Sequence, residues 1–163
     1  MSEPGPIRVV GVGSPLADDA LAWEVVRRLQ REDTWQGAIE FHTVEGGQRL
    51  LDLLDGQGTL VLVDALVAGE CLSLGTIQRL EWPDARIEAL RPGTTHQLRP
   101  AEALELAATL GLLPARVVIW GIGGACFDPH SGLSPAVADA VPELARRIAD
   151  ELNILRNRGG HHA

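Results

Sequence analysis

Two uninterrupted apolar runs constrain this chain more than any other feature: "TLVLVDA", Thr59 to Ala65, and "ARVVIWGIGG", Ala115 to Gly124. A strand without polar alternation has no face to give to water, so both faces must be covered by other elements. Around these runs the pattern alternates between strand and helix. Ile7 to Val12 reads as a first strand. From about Asp19 to Arg31 the spacing is helical, with Leu21, Val25, Val26 and Leu29 on one face. Ala38 to Val44 alternates like a second strand, and "GGQRLLDLLDG" is a short helix closed by Gly56. Gly75 to Trp82 alternates as an edge strand would. "RPAEALELAATLG" is a helix with Pro100 in its first turn. In "LSPAVADAVPELARRIADEL", Ser134 is placed as N-cap and Pro135 as first helical residue, and Pro142 is expected to kink or restart the helix. The order β-α-β-α-β-β-α-β-α calls for a three-layer α/β/α fold. The 163 residues suit a single domain, with a structured core over about 7–153 and a flexible tail over 154–163.

Composition removes several functions. The formal net charge is −8, which argues against a nucleic-acid partner, since such binding depends on clustered cations. Every basic side chain is arginine, so a P-loop lysine, a Schiff base and lysine-dependent phosphotransfer are excluded. Two cysteines, Cys71 and Cys126, are too few and too far apart for a disulfide framework or a zinc site. There is no apolar leader and no stretch near the ~18 apolar residues of a membrane span. A cytoplasmic protein without membrane insertion is expected.

Open parallel sheets bind ligands beyond the carboxyl ends of their strands. Those positions hold Asp18 and Asp19 after the first strand, Glu45, Gly46 and Gly47 after the second, and Asp64 closing the third. His96 stands in the loop that delivers the next helix. Asp18 or Asp19 alone is explained as readily by capping the first helix. Asp64 is different, because a charge ending an apolar strand is costly unless paired or bound. Two carboxylates and an imidazole form a mixed oxygen and nitrogen set suited to a borderline metal such as zinc, nickel or iron(II). Gly11-x-Gly13 lacks the third glycine of a dinucleotide fingerprint, and acids stand where a pyrophosphate would lie. A phosphoacceptor receiver needs a lysine that the chain lacks. No Ser-His-Asp or Cys-His arrangement is evident, and neither His42 nor His130 is assigned to the site.

Taken together, "VVGVGSPLADDALAWEVVRRL", "TVEGGQRLLDLL", "LVLVDALVAGECLSLGTIQRLE", "THQLRPAEALELA" and "VVIWGIGGACFDPHSGLSPAVADAVPELARRI" resemble the hydrogenase maturation endopeptidases. These trim the large subunit of nickel-iron hydrogenases. The resemblance runs from about residue 7 to 152 and implies a twisted, mostly parallel five-stranded sheet between helices. By motif it carries the family's metal ligands onto Asp19, Asp64 and His96, with the register of Asp18 against Asp19 left open. It implies an aspartic-type endopeptidase that removes a C-terminal peptide from a hydrogenase large-subunit precursor after nickel insertion. The nickel would be supplied by the substrate, with no tightly bound resident metal. Asp64 and Glu45 are the candidate catalytic bases, and Gly46 and Gly47 candidate substrate contacts. The sequence departs from the family pattern at Ser14, commonly Asn, at "ALAWE" in place of a glycine-bearing helix start, at Glu45, commonly Asp, and at the glycine-rich "GIGGACF". A non-catalytic maturation chaperone that binds the same metal or client is the alternative reading.

Overall fold

The apolar run at Thr59 becomes the middle strand of the sheet. A computed structural model describes residues 5–15, 17–35, 37–67, 73–83, 98–124 and 132–160. The strands are β1 (Ile7–Val12), β2 (Ile39–Val44), β3 (Thr59–Val67), β4 (Ile77–Glu81) and β5 (Arg116–Gly124). The helices are α1 (Leu21–Gln30), α2 (Gly46–Asp52), α3 (Pro100–Thr109) and α4 (Pro135–Gly160), with short 3-10 turns at Ala17–Ala20 and Asp33–Trp35. The five strands lie in the order β2-β1-β3-β5-β4. β1 pairs in parallel with β2 and β3, β3 in parallel with β5, and β4 runs antiparallel at the edge.

The alternation of side chains sorts the core into two layers. On one face Val9, Val61, Val63, Ala65, Val118, Trp120 and Ile122 pack with α1 and α4. On the other, Val10, Val12, Leu60, Leu62, Leu66, Val117 and Ile119 pack with α2 and α3. Each fully buried Leu or Val contributes roughly 1.5–3 kcal/mol relative to exposure, so both layers are needed to hold β3 and β5 in the centre. Asp64 falls in the same alternation as Leu60, Leu62 and Leu66 and is itself only 5% exposed.

α4 is one continuous helix of 26 residues with Pro142 inside it, so of the expected kink or restart the restart does not occur. Pro142 is exposed, whereas Val137, Leu144, Ile148 and Leu152 are buried; the apolar stripe stays on the sheet on both sides of the proline. The same helix runs on to Gly160. Part of the reason is visible at its last turns, where Arg156 donates to the Thr34 carbonyl at 2.7 Å and sits over the Trp35 ring at 5.4 Å.

The far end of the sheet, away from the strand termini of interest, is held by Arg8. Its guanidinium donates to both carboxylate oxygens of Asp55, at 2.7 and 2.9 Å, and to Glu40 at 2.7 Å. The Asp55 carboxyl is accordingly drawn down to about 2, first by its hydrogen bonds to Arg8 and then by the Gln57 backbone.

Candidate active site

The order 2-1-3 makes the gap between β1 and β3 the place where the chain's path reverses across the sheet, the position that open α/β sheets use for ligands. Val12, the last residue of β1, lies in register between Val44 of β2 and Asp64 of β3. One residue further, the Gly13 N–H donates to the Val44 carbonyl at 3.0 Å, and the Trp23 indole donates to the same oxygen at 3.2 Å. The exit of β1 is thus pinned to the end of β2. The 3-10 turn bearing Asp18 and Asp19 then folds back over it: a Cβ at Gly13 would stand 2.1 Å from the Asp19 carbonyl oxygen and 3.7 Å from Asp19 Oδ1. Only a residue without a side chain allows this closeness, which accounts for the glycine. Ser14 N–H donates to the Asp19 carbonyl at 3.3 Å and completes the fold-back.

The two adjacent acids have different surroundings. Asp18 is fully buried. Its Oδ1 accepts from the Ser134 N–H and its Oδ2 from the Ser134 hydroxyl, both at 2.7 Å. These are short, charge-assisted bonds at the start of α4, where the helix dipole favours an anion. The N-cap position of α1 is Ala20, whose side chain makes no capping hydrogen bond. Asp18 instead meets Ser134, the residue before the last helix. Asp19 is half-buried and lies against the end of β1. Ala17, which leads into the pair, adopts φ +49°, a left-handed conformation that disfavours any residue with a Cβ.

Asp64 accepts at Oδ1 from the Ala65 N–H at 2.8 Å. Opposite it in register is Gly121 of β5, where a Cβ would fall 3.0 Å from the Asp64 carbonyl and 2.4 Å from the Leu66 side chain. At the end of β5, a Cβ on Gly124 would stand 3.1 Å from Asp18 Cβ. The glycine richness of "GIGG" thus serves the close approach of β5 to both acid-bearing segments. Sequence reasoning missed this role, and it missed Ser134 as the partner of Asp18; the unusual glycine repeat was the only available signal.

Glu45 is exposed and occupies the N-cap position of α2 without a side-chain capping bond. Gly46 has φ +77°. Gly47 is buried, donates its N–H to the Leu98 carbonyl at 2.8 Å, and has no room for a Cβ, which would meet the Leu98 and Arg99 carbonyls at 2.6 and 2.7 Å. The Gly-Gly pair therefore serves a sharp turn and a backbone crossing. His96 lies outside the described residues, as do His130, Cys71 and Cys126. Among the described residues no group of three His, Cys, Asp or Glu side chains converges as a metal site would. The structure thus folds the Asp19 turn against the exit of β1, sets Asp64 in register with Val12, ties Asp18 to Ser134 just before α4, and leaves the third expected ligand outside the described residues.

Comparison with known proteins agrees with this architecture. The family model HycI, hydrogenase maturation protease, matches residues 23–151. The hydrogenase 2 maturation protease of Escherichia coli (strain K12) is 28% identical over 150 residues, covering 88% of each chain. The solved structure of the hydrogenase maturating endopeptidase HybD from E. coli superposes with a TM-score of 0.74 at 26% identity, over 91% of this chain and 92% of that one. The [NiFe] hydrogenase maturation protease HybD from Thermococcus kodakarensis shares the fold, with a TM-score of 0.65 at 20% identity over 90% and 98% of the two chains.

Proposed function

Because the chain belongs to the hydrogenase maturation proteases, and is therefore a peptidase, we propose that it removes the C-terminal peptide of a nickel-iron hydrogenase large-subunit precursor in the cytoplasm. Nickel already carried by that precursor is the recognition element. The observation that supports this reading is that the turn carrying Asp19 packs on the exit of β1 at Gly13, while Asp64 stands in register with Val12, the last residue of β1, at the sheet's switch point.

The donor chemistry fits. Asp64 is a nearly buried carboxylate inside β3, which runs on to Val67 instead of closing at the aspartate as expected from the sequence; a cation there offsets the cost of burying the charge. Asp19 brings a second oxygen donor and His96 the nitrogen donor that favours nickel over magnesium. Three protein ligands leave coordination positions for groups of the precursor. A metal held there polarises a carbonyl or lowers the pKa of a water. Asp64 and Glu45 are the carboxylates at the rim available to take and return a proton, with Glu45 the more accessible to solvent. The metal belongs to the substrate in this scheme, so the resting enzyme holds little of it.

The test is cleavage of a nickel-loaded precursor followed by its mobility shift. His96→Ala is expected to lose most processing and most preference for nickel over magnesium while remaining folded. His130→Ala is expected to cleave almost normally. The reverse pattern would mean that the wrong histidine has been assigned. A stoichiometric metal retained through chelation would overturn delivery by the substrate.

A further inference from the structure

We propose that Asp18 is a positioning residue for the proteolytic site: through Ser134 it locks the turn carrying Asp19 to the start of the C-terminal helix and so fixes the orientation of the Asp19 carboxylate. This rests on the reading above that Asp19 is a site residue.

The argument begins with burial. A fully buried carboxylate is tolerated only where strong donors meet both oxygens, and Ser134 supplies its backbone N–H to one and its hydroxyl to the other. Those donors come from a residue 116 positions away, so the contact is an inter-element tie and not a local turn bond. On the other side of Asp19, its carbonyl is gripped by the Ser14 N–H and pressed against Gly13. The Asp19 residue is therefore held from both directions: by its own main chain against β1, and by its neighbour's side chain against α4. Within the four-residue turn, Ala17 is kept in a left-handed conformation that an alanine avoids. A turn with that bias stays in place only while the surroundings overdetermine it. Gly124 leaves the third side just enough room, since a Cβ there would stand 3.1 Å from Asp18 Cβ. Without the Ser134 tie the turn has a reason to relax, and the Asp19 carboxylate moves with it. Residues that orient a metal-binding carboxylate in this way typically change metal affinity or activity by about 10–100-fold when altered.

The experiment uses full-length Asp18→Asn, Ser134→Ala and Ser134→Thr, with Asp19→Asn as reference. Three quantities are read: melting temperature, calorimetric affinity for Ni²⁺ alone, and kcat and KM on a nickel-loaded precursor. Ser134→Ala is expected to weaken Ni²⁺ binding by about 10–100-fold and to lower kcat by a comparable factor, with KM little changed. Ser134→Thr, which keeps the hydroxyl, restores both. Asp18→Asn follows Ser134→Ala in direction. Should Asp18→Asn fail to fold, Ser134→Ala carries the test, since it keeps the backbone bond to Asp18. The proposal is overturned if Ser134→Ala loses melting temperature but keeps wild-type Ni²⁺ affinity and kcat, for that is a helix cap and nothing more. If Asp19→Asn itself leaves nickel binding and cleavage untouched, the error lies in the site assignment, and the positioning role falls with it.

Discussion

Gly13→Ala is the most direct probe of how closely the acid-bearing turn must sit on β1. The added Cβ would lie 2.1 Å from the Asp19 carbonyl oxygen, and that oxygen is backbone, so no side-chain rotation relieves the clash. Reaching even the 3.0 Å limit of real Cβ contacts requires the turn to retreat by about 1 Å. Overpacking of this kind costs ~1–3 kcal/mol. The retreat also stretches the Ser14–Asp19 hydrogen bond, which contributes a further ~0.5–1.5 kcal/mol. Together these correspond to a fall in melting temperature on the order of 5–15 °C at this chain length. The functional effect is larger than stability alone dictates, because a displacement of ~1 Å at a reacting centre costs on the order of 100-fold in rate. The assay is precursor cleavage at a temperature where the variant is folded, beside thermal unfolding. Gly111→Ala is the control: its φ of +73° strains an alanine, but nothing lies within 4 Å of the new methyl. It is expected to lower stability and leave processing unchanged. A Gly13→Ala enzyme that processes at the wild-type rate would refute the claim that the turn must lie where it does.

Two further outcomes concern the frame. Asp55 has a folded-state pKa lowered to about 2, below its ordinary value of 3.8, so the Arg8 clasp stabilises the fold above pH ~4 and is lost as pH falls towards 2. Urea midpoints should therefore show Arg8→Met less stable than wild type at pH 6, with the gap narrowing between pH ~4 and ~2; a gap independent of pH would deny the clasp. Pro142→Ala should raise stability by ~1–3 kcal/mol, since proline inside a helix removes a hydrogen bond and crowds the preceding turn, and Pro142 is exposed. An unchanged or lowered melting temperature would show that the proline is accommodated without strain.

Much of the fold was legible because the strands announce themselves physically. The continuous apolar runs of β3 and β5 require cover on both faces, and the helical stripes of α1 and α4 supply it. The edge position suggested for β4 followed from its polar alternation, and it lies beside β5 at the sheet's margin. The course of α4 through Pro142 was not legible, because the burial of Leu144, Ile148 and Leu152 outweighs a local preference that sequence alone displays. At the site, strand ends could be read as places for chemistry, and Asp64 stood out by charge against apolar surroundings. That Asp18 is buried and Asp19 half-buried was beyond the sequence. Their difference is made by Ser134, a residue with no spacing relation to either, and tertiary partners of that kind leave no periodic trace. Gly121 and Gly124 were visible as residues but not as reasons, since a glycine shows its purpose only when the atoms it makes room for are in place.

The distance along the chain between Asp18 and Ser134 also says something about time. β1, β2 and β3, with Asp19, Asp64, Glu45 and both rim glycines, are complete by Val67. A chain emerging from the ribosome therefore holds all of these residues when less than half of it has been made. The tie that seats the acidic turn arrives only with the last helix, across a separation of 116 residues. Contacts so remote form late, because the intervening chain must first be ordered. During synthesis, then, the carboxylates precede their alignment, and a partly made chain holds Asp18 and Asp19 without the helix start that seats them.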